Sequence, residues 1–463
     1  MVEQTVRTGM RTTDIIVTAT FSPAAVAAIG LADLYARLPL RIGLGLGGGA
    51  IALSSQDTGR GAAASRDEAV TQALALAVLA GMPFVVFGLV FGEAAIAILG
   101  APPTVAAMGG TYLAIIFTTA PARHVALVGA RSLQGTGDTR TPMYINLVAN
   151  TMNIVGSVVL GLGLFGLPRL DIVGVGVATA VANVFTAVAL LAVMVYGWTT
   201  AGLTRPRNPV IFRQLLVVST PRIGEGLIAT AAAFPFNAML LGFGTSVNAA
   251  FQIGRRMYQQ VTGPLSRGYH IAASVLVGQS LGDGAPEDAR YTGWAIAGLG
   301  LLTVGVIGVV LAVFAPTFVH VFTDDPSTVP YAVAFARTYG LAGAALVLFS
   351  VLSGSLQGAS ETRVPLVARV SGLFLFQLGV TYVVGVVWGY GPLGAYLGIG
   401  LAYGWMAAVV AVGFRYGGGG GGGGGRDDDG RTGRGRDRLR AMSGPRPGST
   451  PGVWHQRIWP AAG

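Results

Sequence analysis

One segment of this chain occurs twice, and that repeat limits the possible folds more than any other feature. Residues 132–142 read SLQGTGDTRTP and residues 355–365 read SLQGASETRVP. Ser132/Ser355, Leu133/Leu356, Gln134/Gln357, Gly135/Gly358, Thr139/Thr362, Arg140/Arg363 and Pro142/Pro365 are identical pairs, each separated by 223 residues. The same separation links SSQDTGRG at 54–61 to VGQSLGDG at 277–284, through Gln56/Gln279, Gly59/Gly282 and Gly61/Gly284. Two distant segments that keep one separation define a duplicated unit of roughly 220 residues. In a strongly apolar chain, so large a duplication is a signature of secondary transporters.

Composition sets the solvent in which the repeat folds. The chain is 52% hydrophobic and 11% charged, with mean hydropathy +0.63, whereas a soluble domain carries about 25% charged residues. Stretches such as 69–99, 292–322 and 371–388 hold few charges and are long enough to cross a ~30 Å hydrocarbon core as helices. The alternation over ~10 positions that marks an outer-membrane barrel strand is absent. The expected class is an all-α polytopic membrane protein embedded in a lipid bilayer. With no cysteine, disulfides and thiolate metal sites are excluded. All 30 basic residues are arginine, which reads as codon bias. The net charge of +10 is assigned to helix ends held on the cytoplasmic side, with no nucleic-acid partner.

Apolar runs predict twelve spans, at roughly 1–18, 23–54, 69–99, 104–131, 142–165, 172–198, 210–242, 246–278, 291–322, 328–355, 364–388 and 392–415. Six spans per half give both halves one orientation, so the repeats are parallel six-helix bundles related by an axis along the membrane normal. The expected divisions are an N-terminal bundle at 1–200, a cytoplasmic linker at 201–213, a C-terminal bundle at 214–415 and a tail at 416–463. Arginines set the orientation. With the first span starting in the cytoplasm, inner loops hold Arg60, Arg66, Arg131, Arg140, Arg205, Arg207, Arg213, Arg290 and Arg363, while outer loops hold only Arg169. That bias places both termini in the cytoplasm of a multi-pass cell-membrane protein.

Both ends are unusual. The seventh span begins near Val210, and its first turns have no counterpart after Met1. The expectation is an incomplete first span, from a reading frame that begins late. Nine glycines and an Arg/Asp/Pro-rich stretch follow Tyr416, a composition expected to stay disordered, as a solvated or frameshift-derived extension.

Ionisable groups inside membrane helices are costly, so each is a candidate for function. The chain places Asp14 in the first span, Asp33, Arg37 and Arg41 in the second, and Arg123 and His124 in the fourth. The second half holds Arg222, Glu225, Arg255, Arg256, Arg267, His270, Arg337 and Arg369. Asp14 aligns with Asn237 through the repeat. A buried carboxylate can exchange a proton near neutral pH or help ligate Na⁺. Asp14 could equally be a solvated residue at a frayed end, and Glu225 could simply pair with Arg222 three residues earlier. Asn150, Asn153 and Ser157 share one helix face, and Thr179 and Asn183 sit one turn apart. Such groups either hold helices together or offer oxygens to a cation. Pro39 and Pro264 could kink or hinge their helices. No metal motif, nucleotide loop or nucleophile elbow is present, so no enzyme is expected.

The motifs LQGTGDTRTPM, LQGASETRVP and VLVGQSLGDGAPEDAR, with TTDIIVTATFSPAAVAAIGLA near the start, resemble the MATE family of multidrug and toxic compound extrusion transporters. The resemblance runs over nearly all of residues 10–415. It implies two bundles around a central cleft, and export of cationic amphipathic small molecules in exchange for H⁺ or Na⁺ by a monomer without a cofactor. It matches Asp14, Asn153 and Thr179 to the first bundle's cation site, with Asp14 and Asn153 as a candidate Na⁺ site beside Asn150. Glu225 is similar to an acid used in some members. One departure is Ser157, where the prokaryotic pattern has a second Asp. The rival within the superfamily is a flippase of lipids or lipid-linked sugars, a reading that Arg37, Arg41, Arg255, Arg256 and Arg267 keep open.

Overall fold

The computed structural model describes residues 20–417. The expected first span with Asp14, and the tail after residue 417, lie outside the described residues. Helix α1 runs Pro23–Gly59. Ser22 caps it, its Oγ accepting the Ala25 N–H at 3.1 Å, and Pro23 at the first position has no N–H to leave unpaired. The chain continues through α2 (Ala63–Ile98), α3 (Pro103–Thr118), α4 (Ala120–Gly135), α5 (Arg140–Leu162) and α6 (Asp171–Val195). The second half comprises α7 (Pro209–Phe243), α8 (Thr245–Gly282), α9 (Pro286–Val313), α10 (Ala315–Val319), α11 (Val329–Gly358), α12 (Arg363–Val387) and α13 (Pro392–Gly417).

Each expected span from residue 23 onward is helical, with three local departures. The span expected at 104–131 is broken, its two pieces meeting at 48° around Thr119. Pro121 explains the break, because it lacks the N–H and its ring crowds the carbonyl four residues back. The span expected at 291–322 widens to π geometry at Leu301–Gly305 and stops at Val313; the short α10 restarts just before Pro316. In α12 the hydrogen bonding changes from α to π at Gly372 and stays so to Val387. Residues 209–213, expected in the linker, form the first turn of α7.

Among the described residues, nine helices and the α3–α4 pair are apolar enough to cross a membrane. The 38-residue α8 is not among them, because it carries Gln252, Arg255, Arg256, Gln259, Gln260, Arg267 and His270. Within the first half α1 packs on α2, α3 and α4, α2 on α3, and α5 on α6. Within the second, α8 and α13 flank α11, and α12 lies on α13. The first half's core includes Leu46, Val70, Leu74, Val128, Leu133 and Leu190; Val347, Leu352, Leu356, Met406 and Val410 fill part of the second. The connection between halves is pinned to the start of α2. Glu68 Oε1 accepts the backbone N–H groups of Arg207 and Asn208, Asp67 accepts from Gly202 N–H at 3.0 Å, and Gln72 donates to Asn208 O at 2.9 Å.

The halves meet where α1 crosses α7 and α8, and α11 also touches α1. Here the repeated motifs bond to each other. Gln56 Nε2 donates to Gly358 O at 2.7 Å, and Gln279 Nε2 donates to Gly135 O at 3.1 Å. Gln56 also donates to Ser360 Oγ at 2.9 Å. Gly59 and Gly282 permit the approach: a Cβ on either would lie 2.0 Å from the carbonyl oxygen of Gln279 or Gln56 in the opposite half. Both LQG copies therefore sit at one end of the molecule, as parallel repeats require.

Candidate functional site

The first candidate site lies inside the first half. Residues three and four apart share a helix face, so α5 buries Asn153 (1% exposed) and Ser157 (0%) together. Asn153 Nδ2 donates to Thr179 Oγ1 of α6 at 2.9 Å, and the Thr179 hydroxyl donates to Val175 O at 3.0 Å. The structure thus brings Asn153 and Thr179 together. This orientation turns Asn153 Oδ1 away from Thr179. Asn153 Oδ1, Ser157 Oγ and Asn150 Nδ2 are buried with no hydrogen-bond partner among the described residues. Buried polar atoms without partners are costly and uncommon. Two of these three are hard oxygen donors, the chemistry that suits Na⁺ or a proton carrier. Asn183 Nδ2 reaches Thr119 Oγ1 at 3.4 Å, tying α6 to the break between α3 and α4.

Asp14, expected to complete this group, lies outside the described residues. Its repeat counterpart Asn237 shows what the second half does instead. Asn237 Oδ1 accepts from Gln252 Nε2 at 2.9 Å, and its Nδ2 donates to Ala233 O at 2.6 Å. Amide–amide pairing replaces a carboxylate there.

Glu225 stands apart from Asn153, at the junction of the halves. It is 4% exposed and both oxygens are engaged. Arg222 donates to Oε2, and Arg369 of α12 donates to Oε1 through Nε at 3.1 Å and Nη2 at 3.0 Å. Arg222 Nη2 also lies 3.2 Å from His270 Nε2, while His270 Nδ1 lies 2.7 Å from Ser350 O. A carbonyl only accepts, so Nδ1 carries the proton and Nε2 accepts from Arg222, which fixes a neutral tautomer. The Arg369 guanidinium sits 4.5 Å over the Phe349 ring. This network joins α7, α8, α11 and α12. The intrahelical pair with Arg222 was legible in sequence. Arg369 was visible as an ionisable group, but a partner 144 residues away carries no local signal.

Two further arginines face this network. The Arg41 stem crosses from α1 to α7, with its Cδ 3.1 Å from where a Cβ on Gly226 would lie. Arg41 is within Coulombic range of Arg369, Arg37, Arg222 and Glu225. Neither Arg37 nor Arg41 has a hydrogen bond or ion pair among the described residues. On α8, Arg256, Gln259, Gln260 and Arg267 are exposed, on the face that also carries Gln252 and His270. Charged side chains avoid lipid, so this stripe is a poor lipid-facing surface. His124 lies in the first half's packing, 2.7 Å from Pro39 O and 3.2 Å from Ala77 O. Among the described residues no three His, Cys, Asp or Glu gather into a metal site.

The chain is similar to known membrane transporters. The family model MatE matches residues 1–159 and 221–383. A probable multidrug resistance protein NorM of Rhodopseudomonas palustris is 28% identical, over 84% of this chain and 84% of its own length. Its Bradyrhizobium diazoefficiens namesake is 29% identical over 90% and 91%. A MATE crystal structure in the bent conformation superposes with TM-score 0.83 at 20% identity, covering 90% of this chain and 92% of its own. A MOP superfamily transporter from Pyrococcus furiosus, described as having a binding pocket of reverse polarity, gives 0.80 at 20%, over 90% and 92%. At this identity the structural likeness establishes the fold.

Proposed function

The chain belongs to the MatE family, and on that premise we propose that it exports amphipathic cationic compounds from the cell in exchange for H⁺ or Na⁺. It is a multi-pass membrane transporter of the multidrug-efflux type, not an enzyme. The observation that carries the coupling is the pair of buried oxygens without partners, Asn153 Oδ1 and Ser157 Oγ, beside Thr179. In this reading Asp14, Asn153 and Thr179 bind the coupling cation, and Asn150 lines the same face. Protonation of Asp14 removes its charge and displaces a metal cation, so either ion can drive exchange.

Transport also needs the cleft to open alternately at its two ends. The Gln56 and Gln279 bonds hold one end closed, and the arginine bias of the loops assigns that end to the cytoplasm. Glu225 has both oxygens on guanidinium groups, so its part is to tie α7 to α12 within the second half, and the ion is left to the first half. The protein acts as a monomer on small molecules.

A second reading, a flippase for lipids or lipid-linked sugars, is favoured by Arg37 and Arg41, whose charges have no acidic partner among the described residues. Efflux-deficient cells expressing the gene separate the two. Lower ethidium accumulation, restored by collapsing the ion gradient, supports the exporter. Unchanged accumulation of every cation tried, with altered distribution of lipid-linked precursors, supports the flippase.

A further inference from the structure

We propose that His270 is a proton-binding residue of the transport cycle, one whose charged form parts α8 from α4 and opens the end held by Gln56 and Gln279. The inference rests on the reading that this end opens alternately during transport. Both ring nitrogens of His270 are engaged at the junction of the halves. Nδ1–H donates to Ser350 O of α11 at 2.7 Å, and Nε2 accepts from Arg222 Nη2 of α7 at 3.2 Å. The ring therefore has no lone pair for a second proton while Arg222 stays in place. A proton on Nε2 turns that acceptor into a donor and sets two cations face to face. Arg222 Nη2 must leave for the proton to bind, so proton uptake and rearrangement are one event.

The surrounding charges set the direction of that rearrangement. Arg222 and Glu225 face the ring from α7, and Arg131 lies within Coulombic range on α4, in the other half. Glu225 is shared between Arg222 and Arg369 of α12. From α11 come the Ser350 carbonyl and Gly354, where a Cβ would lie 2.3 Å from His270 O. On α8 itself Arg267 is exposed and donates back to Gly263 O at 3.3 Å. The two arginines nearest the ring pass α1 side by side. A Cβ on Gly47 would lie 2.8 Å from Arg131 Cγ, and one on Gly48 would lie 3.1 Å from Arg222 Cγ. A charged imidazole thus repels one arginine from each half. The repulsion across the junction acts on two helices that are bonded together at this end. His270 and Gln279 are both on α8; Arg131 and Gly135 are both on α4, and Gln279 donates to Gly135 O at 3.1 Å. Arg222 also has an acceptor to turn to. Gln357 Oε1 is buried without a partner among the described residues and lies 3.5 Å from the same Cβ position at Gly48.

A Ser55→Cys reporter in the purified full chain, held in nanodiscs, reads the opening. Ser55 is fully buried against Gly278, and the chain has no native cysteine. Maleimide labelling is measured across the histidine range and divided at each pH by the rate at an exposed Thr204→Cys, which removes thiol ionisation. A histidine open to water titrates near 6.5. The closed form, which keeps His270 neutral, is favoured above that pH and loses ground below it. The corrected rate should therefore rise about tenfold from about pH 7.5 to about pH 5.5. His270→Gln keeps an acceptor for Arg222 and takes up no proton, so its profile should be flat. Arg131→Gln should show a smaller rise, because the repulsion across the halves is gone. A flat profile in the parent, or an equal rise in His270→Gln, overturns the proposal. If His270→Gln does not fold, Arg131→Gln decides, and an undiminished rise there overturns it. The double variant Gln56→Ala, Gln279→Ala should label fast at every pH; slow labelling there faults the opening at this end and the proposal with it. Acid-driven labelling without ethidium transport faults the exporter reading and leaves His270 in place, whereas gradient-driven transport with a flat profile faults His270 alone.

Discussion

Gln56 and Gln279 are repeat equivalents that clasp the halves reciprocally. Each side-chain amide donates to the backbone oxygen of a glycine in the other half's LQG motif, at 2.7 Å to Gly358 and 3.1 Å to Gly135. Each such bond contributes about 1 kcal/mol net. Replacing both glutamines by alanine should therefore shift the balance toward the state open at this end by roughly 30-fold. The chain contains no cysteine, so a single Ser55→Cys reporter is clean. Ser55 is fully buried and its Oγ lies 2.0 Å from where a Cβ on Gly278 would stand. Maleimide labelling of Cys at this position should accelerate in the double variant and stay slow in the parent.

Backbone contact tests the same closure from the opposite direction. A Cβ at Gly59 or Gly282 would strike the Gln279 or Gln56 carbonyl at 2.0 Å. Overpacking of this kind costs about 1–3 kcal/mol. Gly59→Ala and Gly282→Ala should each open this end and speed labelling at Ser55→Cys by comparable factors. A large effect from one and none from the other would contradict the twofold relation of the halves.

Glu225→Gln should destabilise the folded protein. It leaves Arg222 and Arg369 without their carboxylate, and breaking such a buried pair costs about 3–5 kcal/mol. The low end applies, because the two arginine side chains are 25% and 24% exposed. Melting temperature of the purified variant reads the loss, and adding Arg369→Gln should recover part of it. A Glu225→Gln protein as stable as wild type would remove Glu225 from its place as a tie between helices.

The repeat and the apolar runs made the architecture readable, since a fixed separation of 223 residues places Gln56 on Gln279 and Gly135 on Gly358 without any structure. What the repeat could not show is that equivalent residues bond across the halves and not within them. That depends on how α1 crosses α8, which small residues permit but do not announce. The break at Thr119 had a signal in Pro121. The π geometry of Gly372–Val387 had none, because the run holds no proline, and its Gln377 and Thr381 suit an α-helix equally well. Asn153 was legible by its place on a polar face and Thr179 by family pattern, yet only the hydrogen bond between them orients Asn153 Oδ1. Arg369 on Glu225 is a long-range pairing of the kind that single-sequence reading misses.

Asn153→Leu should fold and reach the membrane, because exchanging a buried, half-satisfied amide for an apolar group of similar size is close to neutral. It should lose the ion response. In the wild-type protein Na⁺ addition or a pH step should raise the melting temperature, through ligand linkage. That shift should vanish in Asn153→Leu and in Asp14→Asn. An unchanged shift in both variants would place the ion elsewhere.

Coupling of substrate movement to a cation bound in the first half is tested most directly in proteoliposomes. The purified chain is reconstituted with an imposed Na⁺ or H⁺ gradient, and ethidium movement is followed by fluorescence. Wild type should move the dye against its concentration gradient, stop when an ionophore collapses the ion gradient, and fall to the protein-free rate in Asp14→Asn. Dye movement that ignores the ionophore, or that proceeds at the wild-type rate in Asp14→Asn, would contradict the account.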